Sequence, residues 1–454
     1  MDKIIGFSDD ELLVKILSFL PTKDAASTSI LSKHWKFLWM RVPKIDFNEM
    51  SMYSLVSFCQ YIILEEDKRR DYLSKSGKSH MMRRFIDRNL PLHSSPVIES
   101  LRLELFTEAF QPEDIKQWVE IAISRCIEEL SVAFSSFNGI INAVMPSSLY
   151  TCKSLVTLKL KKHILVDVPH AFCLPSLKTL HLRRVIYADE ESLQRLLSNS
   201  SVLEDLVLEL CPGDNVRKFA IIIPSLLSLS FDISAQCTSD GYIIDTPSLK
   251  YFKALDRSDS TSTSTCFIVK NMPKLEEAQV CVGHNVKKLL QAVTSVKRLS
   301  LLVEDNNSAE AVYGDDFVFN KLEHLYFHIY GTFWSKLLFQ LLNASPKLRD
   351  FTFNDDLLTY DGIMGASVCW KQLKLSSLQT FKWLGCHRSV EGKDLATYIF
   401  RNSCLLKTAT ISLPETNLEL ETEVNFWFRG SPTCNLVFTE DSDYGERNLW
   451  WQSI

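Results

Sequence analysis

The sequence predicts an α/β protein in which a short helical unit precedes an irregular solenoid of strand-and-helix repeats. Two observations support this fold class. A phrase of three apolar residues recurs along most of the chain at intervals of 21–30 residues, which is typical of stacked structural repeats. The first 40 residues instead place apolar side chains at the 3.6-residue period of amphipathic helices.

The N-terminal stretch "SDDELLVKILSFLPTKDAASTSILSKHWKFLWM", residues 8–40, predicts short helices separated by one Leu-Pro step. Ser8 and Glu11 form the S-x-x-E pattern of a capping box at the start of the first helix. The helical stripe that follows contains Leu12, Leu13, Ile16, Leu17 and Leu20. Pro21 ends this helix, and Thr22 is placed to cap the next one.

This unit carries more apolar surface than it can bury within itself. Chains of about 40 residues usually need a disulfide or a metal in order to fold alone, and no such pattern is present. Two interpretations follow from the residues. The unit is an N-terminal cap that packs on the first repeat, or it is a docking module whose apolar face is completed by a partner protein.

The repeat phrase has an apolar residue, a second one three positions later and a third two positions after that. It occurs as VIESLRL, CIEELSV, SLVTLKL, SLKTLHL, VLEDLVL, SLLSLSF, SLKYFKA, KLEEAQV, SVKRLSL, KLEHLYF, KLRDFTF, SLQTFKW and LLKTATI, with first apolar positions from Ile98 to Leu406. In the L-x-L part, two side chains point to one face of a strand and the residue between them points to the other. Stacking such units builds a continuous core, which predicts a leucine-rich-repeat solenoid.

Proline and helical patterns complete the description of the repeats. Proline precedes several phrases, in residues 174–177, 223–226, 246–249, 272–275 and 345–348. Its fixed φ angle and missing N–H suit the position just before a strand. Leu193, Leu196 and Leu197 lie on one helical face, so helices are expected between some strands. Since the spacing varies, we expect an irregular arc in which some units lack helices.

Charge and apolar content exclude several classes of protein. The net charge is −5 over 454 residues, so no strong overall field favours nucleic acid or an anionic membrane. No apolar run approaches the ~18 residues of a membrane span, and Asp9, Asp10 and Glu11 interrupt a signal-peptide pattern. The sequence predicts a soluble, non-secreted protein of the cytoplasm, the nucleus or both, without nucleic-acid or membrane partners.

The 12 cysteines predict neither disulfides nor a metal site. The closest pair, Cys266 and Cys281, is fifteen positions apart, whereas zinc sites usually show a close Cys or His pair. We therefore expect buried free thiols, no metal and no cofactor. The chain also lacks the GxxxxGK[ST], GxGxxG, HExxH and GxSxG motifs, so no catalytic residues are predicted.

Residues 9–39 closely resemble the F-box of one large plant family, whose pattern is roughly L-P-D-E-L-L-x-x-I-L-S-F-L-P-T-K-x-A-x-x-T-S-x-L-S-K-R-W-x-x-L-W. The family's first Leu-Pro is Phe7-Ser8 here, and its Arg before the Trp is His34. The resemblance implies a three-helix module that docks on the Skp adaptor of a cullin–RING ubiquitin ligase. The contact residues that it implies are Leu12, Leu13, Ile16, Leu20, Pro21, Leu31 and Trp35.

Residues 375–413 resemble the FBD domain that follows leucine-rich repeats in the same plant proteins. The match is carried by Trp383, Gly385, Leu395, Tyr398, Ile399, Asn402, Leu406, Lys407 and Ile411. A helix from Lys393 to Asn402 is expected to turn Leu395, Tyr398 and Ile399 inward, and the FBD to seal the open end of the solenoid. The resemblance divides the chain into an F-box at 1–47, a linker and solenoid start at 48–95, leucine-rich repeats at 96–370, the FBD at 371–413 and a C-terminal segment at 414–454.

The resemblance implies a non-catalytic, substrate-recognition subunit of an SCF-type (Skp–cullin–F-box) E3 ubiquitin ligase. The F-box holds the Skp adaptor, and the concave strand face of the solenoid binds a protein substrate. Candidate contacts are the residues between the paired apolar positions, namely Lys159, His181, Val207, Ser230, Lys253, Gln279, Ser300, Tyr326, Thr352 and Lys382. The substrate-binding set taken from these is Lys159, His181, Tyr326 and Lys382.

Two other functions stay open from the sequence. The chain is alternatively a non-degradative leucine-rich-repeat scaffold whose F-box has decayed at Phe7-Ser8. In a third interpretation the solenoid holds a small-molecule ligand, which has little support because no cationic cluster marks an anion pocket.

Overall fold

The computed structural model describes residues 9–49, 77–106, 109–135, 142–258, 266–282, 286–304, 317–330, 334–354, 370–373, 375–385, 390–413, 422, 424 and 430–440. The capping box predicted at Ser8 and the Phe7-Ser8 step lie outside these residues. The chain divides into two compact units. The first contains Met1–Leu226 and Gln236–Tyr242, and the second contains Leu227–Ala235 and Ile243–Ile454.

The first unit begins with short helices. They are α1 (Asp9–Leu17), α2 (Thr22–Ser27) and the 3₁₀ helices Thr28–Ile30 and Trp35–Arg41. The break predicted at Pro21 is confirmed, since Pro21 has the extended ψ angle of 146° and precedes α2. Thr22 does not cap α2, contrary to the prediction, because it lies within the helix. Its hydroxyl instead accepts a hydrogen bond from the backbone N–H of Asp46, at 2.8 Å.

The three helices implied by the F-box resemblance stay a prediction, because the described residues form two α-helices and two 3₁₀ helices. Together they enclose a small core made of Leu17, Ala25, Leu38, Trp39, Met40 and Val42. Phe85, on helix α3 (Lys78–Asn89), packs against this core and stacks on Trp39 with ring centroids 5.4 Å apart. The helical unit therefore uses an aromatic side chain from the following segment to complete its core.

A parallel sheet with the strand order β1-β2-β3-β5-β7-β9 runs through the first unit. Its strands are β1 (Lys44–Asn48), β2 (Ser100–Leu105), β3 (Glu129–Phe134), β5 (Thr157–Lys162), β7 (Thr179–Arg183) and β9 (Asp205–Leu210). A smaller parallel sheet contains β4 (Ala143–Val144), β6 (Ile164–Val166) and β8 (Ile186–Tyr187). The unit also has α4 (Pro112–Ile123), a 3₁₀ helix Ser147–Thr151 and α5 (Ser192–Ser198).

The second unit is built on a parallel sheet with the order β11-β13-β15-β16-β17-β18-β19-β20-β21. Its strands are β11 (Ser228–Ile233), β13 (Tyr251–Asp256), β15 (Glu277–Val282), β16 (Arg298–Glu304), β17 (His324–Tyr330), β18 (Asp350–Asn354), β19 (Thr380–Leu384), β20 (Thr408–Leu413) and β21 (Asn435–Glu440). Its helices are α6 (Val286–Ala292), α7 (Trp334–Asn343), a 3₁₀ helix Trp370–Gln372 and α8 (Val390–Asn402). Short strands β10 (Lys218–Ile222), β12 (Gly241–Asp245) and β14 (Cys266–Val269) follow β9, β11 and β13 in the chain.

The apolar positions of the repeat phrase form the core, as the sequence predicts. In the first unit the middle residues of the phrase lie in register as Leu101, Leu130, Leu158, Leu180 and Leu206, all fully buried. In the second unit the same position is aromatic on several strands, and the rings of Phe351 and Phe381 lie 5.7 Å apart. Each repeat thus buries the face of its neighbour, which a single unit could not do.

The predicted irregularity is also confirmed within the described residues. Helix α5 turns Leu193, Leu196 and Leu197 inward, as expected from their spacing. After β5, β9, β11 and β13, however, the chain continues into a short strand rather than a helix. The segments "KFAII" and "GYIID" are short apolar runs of the length typical of strands, and buried positions alternate with more exposed ones along Lys218–Ile222.

A recurring serine links consecutive repeats. The serine just before the first apolar residue of a phrase donates a hydrogen bond from its Oγ to a backbone carbonyl of the preceding repeat. The pairs are Ser154 with Ile127, Ser176 with Lys153, Ser225 with Leu203, Ser295 with Met272 and Ser377 with Leu348, at 2.5–2.9 Å. These bonds satisfy carbonyls in the turns where neither helix nor strand can do so.

The FBD stretch contributes β19, α8 and β20 to the second unit. Leu395 and Ile399 are fully buried as predicted, and Tyr398 is half-buried with its hydroxyl donating to the Leu373 carbonyl at 3.1 Å. The helix starts at Val390, three residues before the predicted start. The sheet continues beyond this stretch, since β21 pairs with β20. Closure of the solenoid by the FBD stays a prediction.

No disulfide occurs among the described cysteines, but the expectation of buried thiols is only partly correct. Cys152, Cys237, Cys281 and Cys434 are buried, whereas Cys126, Cys173 and Cys404 are exposed. The described part of the chain contains no helix long and apolar enough to cross a membrane.

Candidate functional site

The N-terminal helical unit exposes several large apolar side chains, which we call its exposed apolar surface. Leu12 and Ile16 lie one helical turn apart on α1 and are each about half exposed, at 53% and 49%. Leu20, three residues after the end of α1, and Leu31, directly after the first 3₁₀ helix, are exposed as well. Large apolar side chains left together in water mark an interaction surface more often than a structural accident.

The predicted docking residues divide into two groups. Leu12, Ile16, Leu20, Pro21 and Leu31 are exposed. Leu13 and Trp35 are half-buried and pack against the small core that contains Leu17 and Trp39. The two groups arise because the apolar stripe of α1 is wide enough to face both the core and the solvent. Leu13 and Trp35 therefore support the surface from behind as well as contributing their exposed edges to it.

Three exposed apolar residues on this unit were not in the predicted docking set. Phe19, Ile30 and Phe37 are exposed by 80%, 88% and 60%. Phe19 lies in the turn after α1, where helical periodicity no longer indicates direction. Ile30 and Phe37 belong to 3₁₀ helices, whose three-residue turn shifts side chains relative to an α-helical wheel.

Polar contacts brace this surface without interrupting it. The Asp10 carboxylate on α1 bridges the His34 Nε2, at 3.0 Å, and the Arg41 Nη1, at 2.8 Å. His34 precedes the second 3₁₀ helix and Arg41 is its last residue, so the contacts tie both ends of that helix to α1. All three side chains are more than a third exposed, so the pairs contribute little to stability and serve mainly to position the two helices. His34 stands where the plant F-box pattern has Arg, and it reaches the same carboxylate as Arg41.

A second candidate surface is the open face of the sheets, which carries the residues between the paired apolar positions. In the first unit, Lys159, His181 and Val207 are aligned partners on neighbouring strands. In the second unit the row runs in register through Ser230, Lys253, Gln279, Ser300, Tyr326, Thr352 and Lys382. Parallel pairing therefore brings residues from many repeats into one line within each unit.

The predicted substrate-binding residues differ in their surroundings. Lys159 and Lys382 are exposed. His181 is held by Asp205, whose Oδ2 lies 2.7 Å from the imidazole Nε2. The Tyr326 hydroxyl accepts a hydrogen bond from Asn354 Nδ2 at 3.0 Å. Other members of the row, Val207, Lys253, Gln279 and Ser300, are buried by their neighbours.

A groove of about 390 Å³ lies on this face in the second unit, across β15 to β19. The predicted row forms its floor through Gln279, Ser300, Tyr326, Thr352 and Lys382. Beside this row run residues that the sequence analysis missed, namely Glu277, Arg298, His324, Asp350 and Thr380. They occupy the strand position two residues earlier, which lies on the same face because side chains alternate with period two.

The groove contains one buried hydrogen-bond acceptor without a partner among the described residues, the Gln279 side-chain oxygen. Arg298 pairs with Glu277 at 2.7 Å, so these two charges neutralise one another, and the His324 Nδ1 lies 2.8 Å from an Asp350 carboxylate oxygen. Gln279 is buried, and its Oε1 has no hydrogen-bond partner among the described residues. Buried acceptors are normally satisfied, so a groove with this one on its floor can accept an N–H donor from a bound polypeptide.

Comparison with known proteins shows to which family the chain belongs. Residues 9–46 match the F-box domain, and residues 90–419 match the LRR domain described as At1g61320/AtMIF1. A putative F-box/FBD/LRR-repeat protein of Arabidopsis thaliana, At5g62970, is 61% identical over 96% of this chain and all of its own length. The chain belongs to the F-box/FBD/LRR-repeat family. A putative FBD-associated F-box protein, At5g56410, is 62% identical over 93% of the chain and 84% of its own length, and the FBD-associated F-box protein At4g10400 is 44% identical over 97% of the chain and all of its own length, both from the same plant.

The two domain matches coincide with the two candidate surfaces of this F-box/FBD/LRR-repeat protein. The F-box match contains α1, α2 and the exposed apolar residues around them. The LRR match contains every open-face residue discussed above. Neither match indicates an enzymatic family, and the described residues contain no cluster of His, Cys, Asp or Glu that could hold a metal ion.

Proposed function

We propose that this F-box/FBD/LRR-repeat protein is the substrate-recognition subunit of an SCF-type (Skp–cullin–F-box) E3 ubiquitin ligase. The F-box docks on the Skp adaptor, and the open face of the repeat sheets binds a protein substrate. The observation that carries the proposal is the exposed apolar surface around Leu12, Ile16 and Leu31 on a unit with an F-box sequence.

Exposure of this apolar surface to water is unfavourable relative to its burial against a partner. Full burial of a large aliphatic side chain is favourable by about 1.5–3 kcal/mol. The exposed set also includes Leu20, Phe19 and Ile30, so docking on an apolar partner groove can bury several such side chains at once. Their combined burial is the main favourable contribution to docking and acts against the cost of association.

The proposed role of the chain is to bring its substrate close to the conjugating enzyme that carries ubiquitin. A substrate held on the open face while the F-box is held on the adaptor stays near the conjugating enzyme that carries ubiquitin. Tethering of this kind raises the effective concentration of the two reactants without a catalytic group from this chain. The absence of a catalytic motif in the sequence fits a subunit that acts by holding its partners.

The test is complex formation by the purified full-length chain with a Skp adaptor and a cullin, followed by size-exclusion chromatography. Co-elution of the three proteins supports the proposal. Ser8→Pro restores the family's proline and serves as a matched comparison. If only Ser8→Pro binds the adaptor, the F-box has decayed at Phe7-Ser8 and the chain is a non-degradative scaffold. If neither protein binds, the proposed ligase role is wrong.

A further inference from the structure

A dense group of positive charges lies on the open face of the first unit, at strands β5 and β7. Lys159, Lys161 and Arg183 occupy open-face positions, and Lys162 and Arg184 come next in the chain at the ends of the two strands; we call these five residues the cationic face. Lys161 and Arg183 are direct partners across the two strands, and Lys159 is the partner of His181. Backbones of neighbouring strands lie ~4.8 Å apart, so these cations are crowded. The sequence analysis did not identify this group, because its members come from neighbouring repeats.

The nearby carboxylates compensate only part of this charge. Glu209 lies 4.0 Å from both Arg183 and Arg184, at the limit of an ion pair. Asp205 is used by His181. Lys159 and Lys161 have no carboxylate within ion-pair distance among the described residues.

On the other flank, Glu104 is held at 2.5 Å by both Arg102 and the Asn48 side-chain amide. Its negative charge also acts on Lys162, whose pKa it raises, so Glu104 offsets part of the positive charge at the end of β5. The first unit therefore carries an excess of positive charge at this one place, although the whole chain is slightly acidic.

The electrostatic cost of the arrangement is visible at its centre. Burial, followed by the positive charges of Lys161 and Arg184, lowers the pKa of Lys162. Burial, followed by Lys162 and Arg184, likewise lowers the pKa of His163. The Lys162 ammonium lies over the Phe106 ring, 5.1 Å from its centroid, which supplies part of the missing stabilisation.

The backbone also holds the cluster in place. Lys162 ends β5 with a φ angle of 70°, and Arg184 follows β7 with a φ angle of 56°. Left-handed backbone is uncommon for residues other than glycine, and it persists only where surrounding structure imposes it. Two neighbouring repeats thus use the same strained turn, and each time the residue in it is a cation.

We propose that the cationic face binds an acidic segment of the protein substrate, an inference that rests on the proposed substrate-recognition function. The recognised chemistry is a short run of carboxylate or phosphate groups on an extended polypeptide. Residues two apart on a strand are separated by ~6.6 Å, so Lys159 and Lys161 match two acidic side chains with similar spacing. Charge-assisted hydrogen bonds from Lys and Arg are the strong contacts available to such a segment.

The borders of the face favour a peptide over a nucleic acid. Glu104 lies on one side of the cluster, and Asp205 and Glu209 lie on the other. A long polyanion would extend past the two cationic strands and meet these carboxylates, whereas a short acidic segment fits between them. The net charge of −5 acts against a long polyanion as well.

The experiment is a fluorescence anisotropy titration of the full-length protein with labelled synthetic peptides. One peptide alternates Glu with Ser, a second replaces each Glu with Gln, and a third replaces one Glu with phosphoserine. The test variant is Lys159→Ala/Lys161→Ala. Its matched control is Lys153→Ala/Lys178→Ala, which removes two exposed lysines of the first unit outside β5 and β7. Circular dichroism verifies that both variants are folded.

We expect the Glu or phosphoserine peptide to bind and the Gln peptide not to bind. Tighter binding of the phosphoserine peptide identifies phosphate, and equal binding identifies carboxylate, as the natural source of the charge. The test variant weakens binding about tenfold or more, since two charge-assisted contacts are lost, while the control keeps wild-type affinity. Equal binding of the Gln peptide, or unchanged affinity of the folded test variant, overturns the proposal. A single-stranded RNA that binds more tightly than the acidic peptides also overturns it.

Failure of peptide binding can be distinguished from failure of the ligase role, because adaptor binding is measured on the same proteins. The cationic face does not include F-box residues, so the test variant keeps wild-type affinity for the Skp adaptor. If the acidic peptide binds but the adaptor does not, the cationic face stands as a peptide site and the ligase role fails. If the adaptor binds but no peptide does, the ligase role stands and this inference fails.

Discussion

Removal of the two half-exposed apolar side chains of α1 weakens adaptor binding by an amount that the structure allows us to calculate. In Leu12→Ala/Ile16→Ala, about half of each side chain is exposed and available for burial by a partner. Full burial is favourable by about 1.5–3 kcal/mol, so the exposed half contributes about 1 kcal/mol at each position. The double variant therefore loses about 2 kcal/mol, which corresponds to a roughly thirtyfold increase in Kd.

The assay is isothermal titration calorimetry of the full-length protein with the purified Skp adaptor. The matched control is Leu405→Ala, whose side chain has the same 53% exposure as Leu12 but lies in the second unit. It leaves the affinity unchanged, although it removes a similar apolar area from the surface. Thermal melts of both variants show whether the first unit is still folded.

Two results would refute this reasoning. A change in Kd of less than about twofold for the folded double variant would mean that α1 does not supply the docking surface. An equal loss of affinity in Leu405→Ala would mean that binding depends on general hydrophobicity and not on this helix. A decrease in the heat-capacity change on binding accompanies the lost affinity, because less apolar surface is buried.

Further predictions concern stability. Gly430→Ala destabilises the second unit by about 1–3 kcal/mol, because a Cβ there would lie 2.5 Å from the Arg401 carbonyl oxygen; an unchanged melting temperature contradicts this. Ser225→Ala costs about 1 kcal/mol in denaturant unfolding by removing the bond to the Leu203 carbonyl, whereas the exposed Ser201→Ala costs almost nothing; equal effects contradict this. Burial, followed by the positive charge of Arg125, lowers the pKa of His93 from 6.5 to about 4. The unfolded chain then binds a proton that the folded chain does not, so stability falls as the pH decreases from 6.5 to 4, by about 3 kcal/mol. His93→Gln lacks this part of the pH dependence, and parallel stability profiles for the two proteins contradict the prediction.

Prediction from sequence succeeded where a residue's role is set by its own repeat. Leu158 and Leu180 are recognisable as core because each lies in an L-x-L pair, and parallel stacking requires nothing further to bury them. Ser225 could also have been found, since a serine before the first leucine recurs in several repeats. A local pattern repeated many times is the strongest signal that a solenoid offers.

Prediction was weaker where two faces of one helix are both apolar. The stripe on α1 contains Leu12, Leu13, Ile16 and Leu17, and periodicity alone does not show which of these faces the core. The answer depends on Trp39 and Phe85, which come from later segments and close the core over Leu17. Thr22 failed as a predicted cap for a similar reason, because its hydroxyl is used by Asp46, 24 residues away.

The open face is the least predictable part of this protein, and the cause is the same alternation that makes the core easy to recognise. Only one side of each strand must be apolar, so a residue such as Lys161 is free of the core constraint and has no required partner in its own repeat. Its electrostatic environment comes from Arg183, which is adjacent in space but 22 positions further along the chain. A cationic face of this kind can be recognised only when the register of the strands is known. Binding specificity in such a solenoid is therefore a property of neighbouring repeats taken together, and a change of one repeat's spacing would alter the recognised chemistry while leaving the core intact.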